Sequence, residues 1–238
     1  MKKLLFLFLA MVMAATLTFA QTRETRNVDT FTKISFRLPG TMYIKQGSPQ
    51  KVELQGNKDF LQQIETEVEG GRLIVGRPGK WWSWGDWHDE DKVTVYVTVA
   101  SIEGLNVSGS GDVIGETKIT TNDLDLNVSG SGSLKIDVEA SGDINADVSG
   151  SGDIDLKGKC RSFDSDVSGS GKVKLNSTIT ELADFGVSGS GRIMASGSAG
   201  SVKAGISGSG KVLAADMETS RCQVRISGSG DVEINVKN

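Results

Sequence analysis

Val107-Ser108-Gly109-Ser110-Gly111 returns as Val128–Gly132, Val148–Gly152, Val167–Gly171, Val187–Gly191, Ile206–Gly210 and Ile226–Gly230. The intervals are 21, 20, 19, 20, 19 and 20 residues, so a five-residue match keeps one period through seven copies. Such constancy is the mark of a repeat architecture, in which each unit is one supersecondary element. The flanks keep phase with the motif. Before it, apolar residues alternate, as in Leu124, Leu126, Val128 and Ile144, Ala146, Val148. After it they alternate again, as in Leu134, Ile136 and Ile154, Leu156. A period of two is a strand with one buried face. Each unit therefore reads as strand, Gly-Ser-Gly bend, strand and a more variable return.

One 20-residue unit cannot bury its apolar face alone, but units stacked in register can. Each strand then gains parallel neighbours at about 4.8 Å, and inward residues form ladders. The sequence predicts an all-β, right-handed parallel β-solenoid, right-handed because parallel crossovers are so by default. About seven regular coils rise roughly 34 Å. The half-copies Ala140-Ser141-Gly142 and Ala195-Ser196-Gly197-Ser198 point to a second corner opposite the first, hence a flattened coil of two sheets.

The chain holds 30 glycines among 238 residues but only 3 prolines, and 14 of those glycines sit at fixed motif positions, which excludes a disordered linker. Residues 1–20, MKKLLFLFLAMVMAATLTFA, have the charged start, apolar run and small residues of a signal peptide cleaved after Ala20. The expected destination is the periplasm, the cell surface or the medium. Without Lys2 and Lys3 the chain carries 24 basic against 30 acidic residues, and no basic cluster invites nucleic acid. The two cysteines are expected unpaired. Cys222 takes the inward slot that Phe163 holds three coils earlier, about 14 Å away, while Cys160 lies outside that strand; a disulfide needs Cα atoms within about 7 Å. Cys222 is expected buried.

Residues 21–106 lack the motif but keep its rhythm. Ile34, Phe36 and Leu38 alternate up to Pro39-Gly40, and Met42 and Ile44 lead away. Ile64, Thr66 and Val68 run to Gly70-Gly71, with Leu73 and Val75 beyond, and Val93 to Val99 form a further strand. This predicts degenerate coils that close one end of the stack, with a helical turn at Lys58–Gln63. Residues 21–238 then make one solenoid domain, in which 107–238 carry the regular repeats. Three stretches resemble the head GIN domain, the auto-transporter adhesin family of secreted, largely Bacteroidetes-type proteins. They are Asn27–Gly40 with Tyr43–Gly47, Leu61–Val75, and Leu105–Gly111. The resemblance implies an exported β-helical protein with an adhesive role, and it brings no catalytic residues.

The chemically unusual stretch is Trp81-Trp82-Ser83-Trp84-Gly85-Asp86-Trp87-His88, followed by Asp89-Glu90-Asp91. Trp81, Trp82, Trp84, Trp87 and His88 could form a platform for a surface glycan or an envelope protein, since indole faces stack on rings and anchor interfaces. The rival reading is a hairpin loop folded back on the core. One His among acids has no zinc-ligand spacing, and no cofactor is implied. The slot after each motif holds Asp112, Ser133, Asp153, Lys172, Arg192, Lys211 and Asp231, whose cations exclude a calcium ladder. Parallel β-helices also serve polysaccharide lyases and hydrolases, so an enzyme is the competing class. Such chemistry needs convergent carboxylates. Asp123/Asp125, Asp153/Asp155 and Asp164/Asp166 are instead outward pairs made by simple alternation. The expectation is a non-enzymatic exported adhesin or assembly protein, with a carbohydrate-binding module as the alternative. Self-association through the last coil, whose strand edge has no cap, is the expected mode of any homo-oligomer.

Overall fold

The computed structural model describes residues 22–77 and 92–237. The expected signal peptide, Met1–Ala20, lies outside them, as do all four tryptophans and His88. Five elements open the chain: β1 (Thr22–Arg26), β2 (Lys33–Phe36), β3 (Gly40–Gln46), β4 (Lys51–Gly56) and helix α1 (Lys58–Leu61). Then come β5 (Glu65–Glu69), β6 (Arg72–Gly76) and β7 (Val93–Val99). The repeats supply β8 (Gly104–Gly109), β9 (Asp112–Gly115), β10 (Ile119–Thr121), β11 (Leu124–Gly130), β12 (Ser133–Ala140), β13 (Asp143–Gly150) and β14 (Asp153–Cys160). They continue through β15 (Ser162–Gly169), β16 (Lys172–Gly189), β17 (Arg192–Gly208), β18 (Lys211–Thr219), β19 (Cys222–Gly228) and β20 (Asp231–Val236).

The expected parallel β-solenoid is what forms. The strands that enter each motif stack in parallel as face A, running β8, β11, β13, β15, the second half of β16, the second half of β17, and β19. The strands that leave it stack as face B, running β9, β12, β14, the first half of β16, the first half of β17, β18 and β20. Motif pairs with motif: Val128, Ser129 and Gly130 lie beside Val148, Ser149 and Gly150. β16 and β17 each run unbroken around the return corner, so one strand serves both faces.

The corner explains why the motif tolerates so little change. Its first glycine has positive φ in every copy, from 97° at Gly109 to 128° at Gly228, a region that residues with a side chain rarely adopt. Its second glycine is excluded from carrying a side chain by crowding: a Cβ on Gly152 would stand 2.5 Å from Val128 Cγ1 and 2.7 Å from the Gly132 carbonyl oxygen. The motif valine of one coil thus fills the space under the second glycine of the next. Backbone bonds tie the corners together, as where Ser131 N–H donates to the Gly109 carbonyl at 2.8 Å and Ser151 N–H to that of Gly130 at 2.8 Å.

Inside, the ladders trade volume from coil to coil. Phe163 is followed in its row by Ala183, while Phe185 is flanked in the adjacent row by Ser165 and Ala204. The two rings meet edge to face, with centroids 6.2 Å apart. Ser165 is buried, and its hydroxyl donates to the Ala146 carbonyl at 2.8 Å.

Three local expectations are corrected. Cys160 is the buried cysteine and Cys222 the exposed one, although neither is paired. The register does carry Phe163 through Ala183 and Val202 to Cys222, but no further coil covers that slot among the described residues. Cys160 instead ends β14 on an inward position beside Ile179, and burial pushes its thiol up to about 11. Secondly, Ala195–Ser198 is no corner. It lies within β17, where Gly197 at φ 107° packs on Ser177, and the return corner of that coil falls at Gly200. Thirdly, the residues before 100 do not simply queue as coils. β2 and β3 are one coil, but Val68 and Leu73 belong to an antiparallel hairpin, β5 with β6.

That hairpin reorders the stack. β6 and β7 pair in parallel with β2 and β3, while β8 and β9 pair with the other edges of β2 and β3. The coil of residues 33–46 therefore lies between those of 72–99 and 104–115. β5 on face A, and β4 then β1 on face B, run antiparallel to the stack and end it. The expected helical turn is α1, capped by the Asn57 side chain, and it brings Phe60 and Leu61 into the core. Gln46 bridges three coils where the chain crosses back. Its amide donates to the Ala100 and Thr120 carbonyls at 3.0 and 2.9 Å, and its oxygen accepts from Thr120 N–H at 2.7 Å.

Candidate functional site

Because alternation sends every second side chain outward, face A displays rows of polar groups one strand apart, about 4.8 Å by the spacing of paired strands. One row runs Asp125, Asn145, Asp164, Asp184, Lys203 and Gln223. The neighbouring row runs Asn127 and Asp147, then Asp166, Gly186, Gly205 and Arg225. The middle of the face is acidic and its far end basic. Partial burial is the first cause that raises the Asp147 and Asp164 carboxyls above the usual aspartate range. For Asp147 the charges of Asp166 and Asp125 add to it, against the Asp166 backbone N–H, which bonds its carboxylate. For Asp164 the charges of Asp166, Asp184 and Asp147 add to it, and Lys203 offsets part. Asn145 relieves the row at one point by donating to Asp125 Oδ1 at 3.0 Å.

Face B differs. Its carboxylates are interspersed with lysines, and several form ion pairs, as in Lys159 and Lys118 on Glu139 at 2.6 and 3.4 Å, Lys174 on Asp155 at 4.0 Å and Lys211 on Asp231 at 2.6 Å. At the return corner Arg161 grips Asp143 with two bonds of 3.0 and 2.7 Å. The carboxylate pairs do not converge: Asp123/Asp125 and Asp164/Asp166 belong to face A, Asp153/Asp155 to face B. Asp123 is also committed to structure, since its Oδ1 accepts from Asp143 N–H at 2.8 Å. Among the described residues no cluster of three or more His, Cys, Asp or Glu is placed to hold a metal ion.

A recess of about 360 Å³ interrupts face A. Gly186 and Gly205 leave two successive gaps in the outward row, between Asp166 and Arg225. The Asp166 carboxylate leans over Gly186, whereas a Cβ on Gly205 would meet nothing within 4 Å. The recess is thus a short trough with an anion at one end, a cation at the other and glycine backbone as floor. Reading outward residues across coils, rather than along one strand, would have found it in the sequence.

The Trp81, Trp82, Trp84, Trp87 and His88 platform lies outside the described residues. Its flanks do not. β6 ends beside the corner of the next coil, with Val75 paired to Phe36, and β7 starts there, with Val93 paired to Gly40. Both flanks thus sit at the corner edge of the stack. Next to it the Arg77 guanidinium lies 5.5 Å from the Phe60 ring centroid.

A family model described as "Putative auto-transporter adhesin, head GIN domain" matches residues 30–194 and again 180–238. No curated protein matches the chain. Among solved structures, a "putative adhesin" from Parabacteroides merdae superposes with a TM-score of 0.74 at 20% identity, covering 91% of this chain and 96% of its own. A "putative adhesin" from Bacteroides fragilis gives 0.73 at 19%, covering 89% and 95%. A "putative lipid binding protein" from Parabacteroides distasonis gives 0.72 at 21%, covering 92% and 97%. At these identities the likeness is one of fold.

Proposed function

This chain belongs to the head GIN domain family, and we propose that it is an exported, non-enzymatic adhesin whose binding surface is face A of the solenoid. The observation that carries the reading is the division of labour between rows. Inward ladders consume the apolar residues, so the outer face is a flat polar array repeated at one fixed step. Ion pairs are fewer on face A, where Lys203 lies 3.7 Å from Asp184, than on face B, which leaves the face A carboxylates the more available to a partner. A surface with repeated groups gains avidity from many weak contacts, provided the partner repeats on a similar scale. The Met1–Ala20 segment supports export.

The test is a glycan and matrix-protein array probed with the purified protein, alongside a variant carrying Asp125→Asn, Asp164→Asn and Asp184→Asn. Binding that falls in the variant supports face A. Specific turnover of any arrayed glycan would overturn the non-enzymatic reading. The second reading is a carbohydrate platform at the tryptophan segment, favoured by the grouping of Trp81, Trp82, Trp84 and Trp87 beside His88 in the sequence. Binding that survives the Asp→Asn changes but is lost on Trp81, Trp82, Trp84 and Trp87→Ala selects it.

A further inference from the structure

The two ends of the solenoid are not alike. At the β1/β5 end, antiparallel strands and α1 cover the core, and the outermost strands are densely charged, with Arg23, Glu24 and Arg26 on β1 and Glu65, Glu67 and Glu69 on β5. Charge of this kind keeps an open strand edge from pairing. At the other end, among the described residues, β19 pairs only with β17 and β20 only with β18, so each presents a free row of backbone groups. Val224, Ile226 and Val236 are exposed there, at 41%, 46% and 43%. Their counterparts one coil earlier, Ala204 and Ile206, are buried.

We propose that this end is the self-complementary interface of a homodimer, in which a two-fold axis parallel to the strands sets β19 of each copy antiparallel to β20 of the other. The sequence around the last corner fits that operator. Ser229 is the corner centre, and β19 approaches it while β20 leaves it. Residues equidistant from Ser229 therefore come opposite each other across such an axis. At three and five residues from Ser229 these are the inward sets, Ile226 with Val232 and Val224 with Ile234. At four and six they are the outward sets, Arg225 with Glu233 and Gln223 with Asn235. Apolar meets apolar, and a cation meets an anion, twice over by symmetry. Neither Arg225 nor Glu233 has an ion-pair partner within the chain among the described residues, whereas Asp231 is held by Lys211. The other closed arrangement, with the axis perpendicular to the faces, sets β19 on β19 and β20 on β20. With the coils superposed it opposes Arg225 to Arg225 and Glu233 to Glu233. Head-to-tail stacking is blocked by the charged, covered end. A two-fold interface of this type closes on itself, so assembly stops at two copies and doubles the solenoid.

The footprint is one coil in cross-section, about 24 Å along the strands and roughly 20 Å across, near 500 Å² per copy, which is the low end for specific interfaces. Micromolar association is the consequence. The experiment is sedimentation velocity on the purified protein and on Arg225→Glu and Glu233→Arg variants, separately and mixed. The wild type is expected to be dimeric by about 100 µM, and each reversal to weaken dimerisation at least tenfold by setting like charges opposed twice. The equimolar mixture of the two variants is expected to form a heterodimer. In it one copy carries a carboxylate at both positions and the other a guanidinium at both, so unlike charges meet at each contact. A wild type that stays monomeric at that concentration, reversals that leave the dimer intact, or a mixture that stays monomeric would each overturn the proposal. So would open-ended polymers.

Discussion

Replacing Gly150 with alanine isolates what the repeated corner requires. Gly150 sits at φ 113°, and a Cβ there would stand 2.7 Å from the Gly130 carbonyl oxygen. The backbone conformation alone costs about 1–3 kcal/mol for a residue with a side chain. That same oxygen accepts the Ser151 N–H at 2.8 Å, so relieving the contact stretches the bond joining two coils. Weakening it adds about 0.5–1.5 kcal/mol. The sum, about 1.5–4.5 kcal/mol, corresponds to roughly 3–18 °C in melting temperature for a chain of this size. Gly205→Ala is the matched control. Gly205 has no positive φ and no atom within 4 Å of its would-be Cβ, so alanine there stabilises by about 0.4–1 kcal/mol through the unfolded chain. Thermal unfolding followed by circular dichroism and calorimetry reads both. Equal melting temperatures for the two variants, or a Gly150→Ala protein as stable as the wild type, would refute the corner argument.

Phe185 is fully buried against Phe163, with only Ser165 and Ala204 beside it in its row, so Phe185→Ala leaves a cavity that nothing fills. The expected loss is about 3–5 kcal/mol in chemical denaturation. Cys222 is exposed while the buried Cys160 thiol is pushed up to about 11, so a maleimide at neutral pH should modify one cysteine rapidly and spare the other. The measurement is made on the Arg225→Glu variant, in which the last coil is expected to be free, and mass spectrometry of the peptides identifies the site. Asp147 and Asp164 titrate above their unfolded value when folded, so the folded chain binds protons more readily there than the unfolded one. Their ionisation therefore lowers stability as pH rises above the ordinary aspartate value of 3.8 through the raised folded range. Asp147→Asn with Asp164→Asn should raise the melting temperature at neutral pH, and the gain should shrink through the raised folded range and vanish below pH 3.8.

The regular coils were legible because a buried row leaves a period of two and a corner glycine leaves a fixed letter. Where a residue is chosen by its own coil, as at Gly109 or Val128, the sequence states the structure. Burial at the end of the stack is different. Cys222 has the right register for the core, yet its exposure depends on whether another coil lies above it, which no local pattern records. The hairpin β5–β6 was equally opaque, since Val68 and Leu73 alternate in the same way whether their strands run parallel or antiparallel. The glycine pair at 70–71, with φ of 55° and 75°, was the one local sign of a tight reversal. Gly197 misled because a small residue inside a strand and one at a corner look the same. The recess between Asp166 and Arg225 was missed because its residues are scattered along the chain and meet only across coils.

Adhesion through face A is tested most directly by the retention of protein-coated beads in flow over the surface that the wild-type protein binds best on the array. Beads carrying the wild type should be retained, and beads carrying Asp125→Asn, Asp164→Asn and Asp184→Asn should wash off at lower shear. A face B variant, Lys135→Gln with Lys157→Gln and Lys174→Gln, should hold as the wild type does. Equal retention of the wild type and the face A variant, or loss only in the face B variant, would contradict the account.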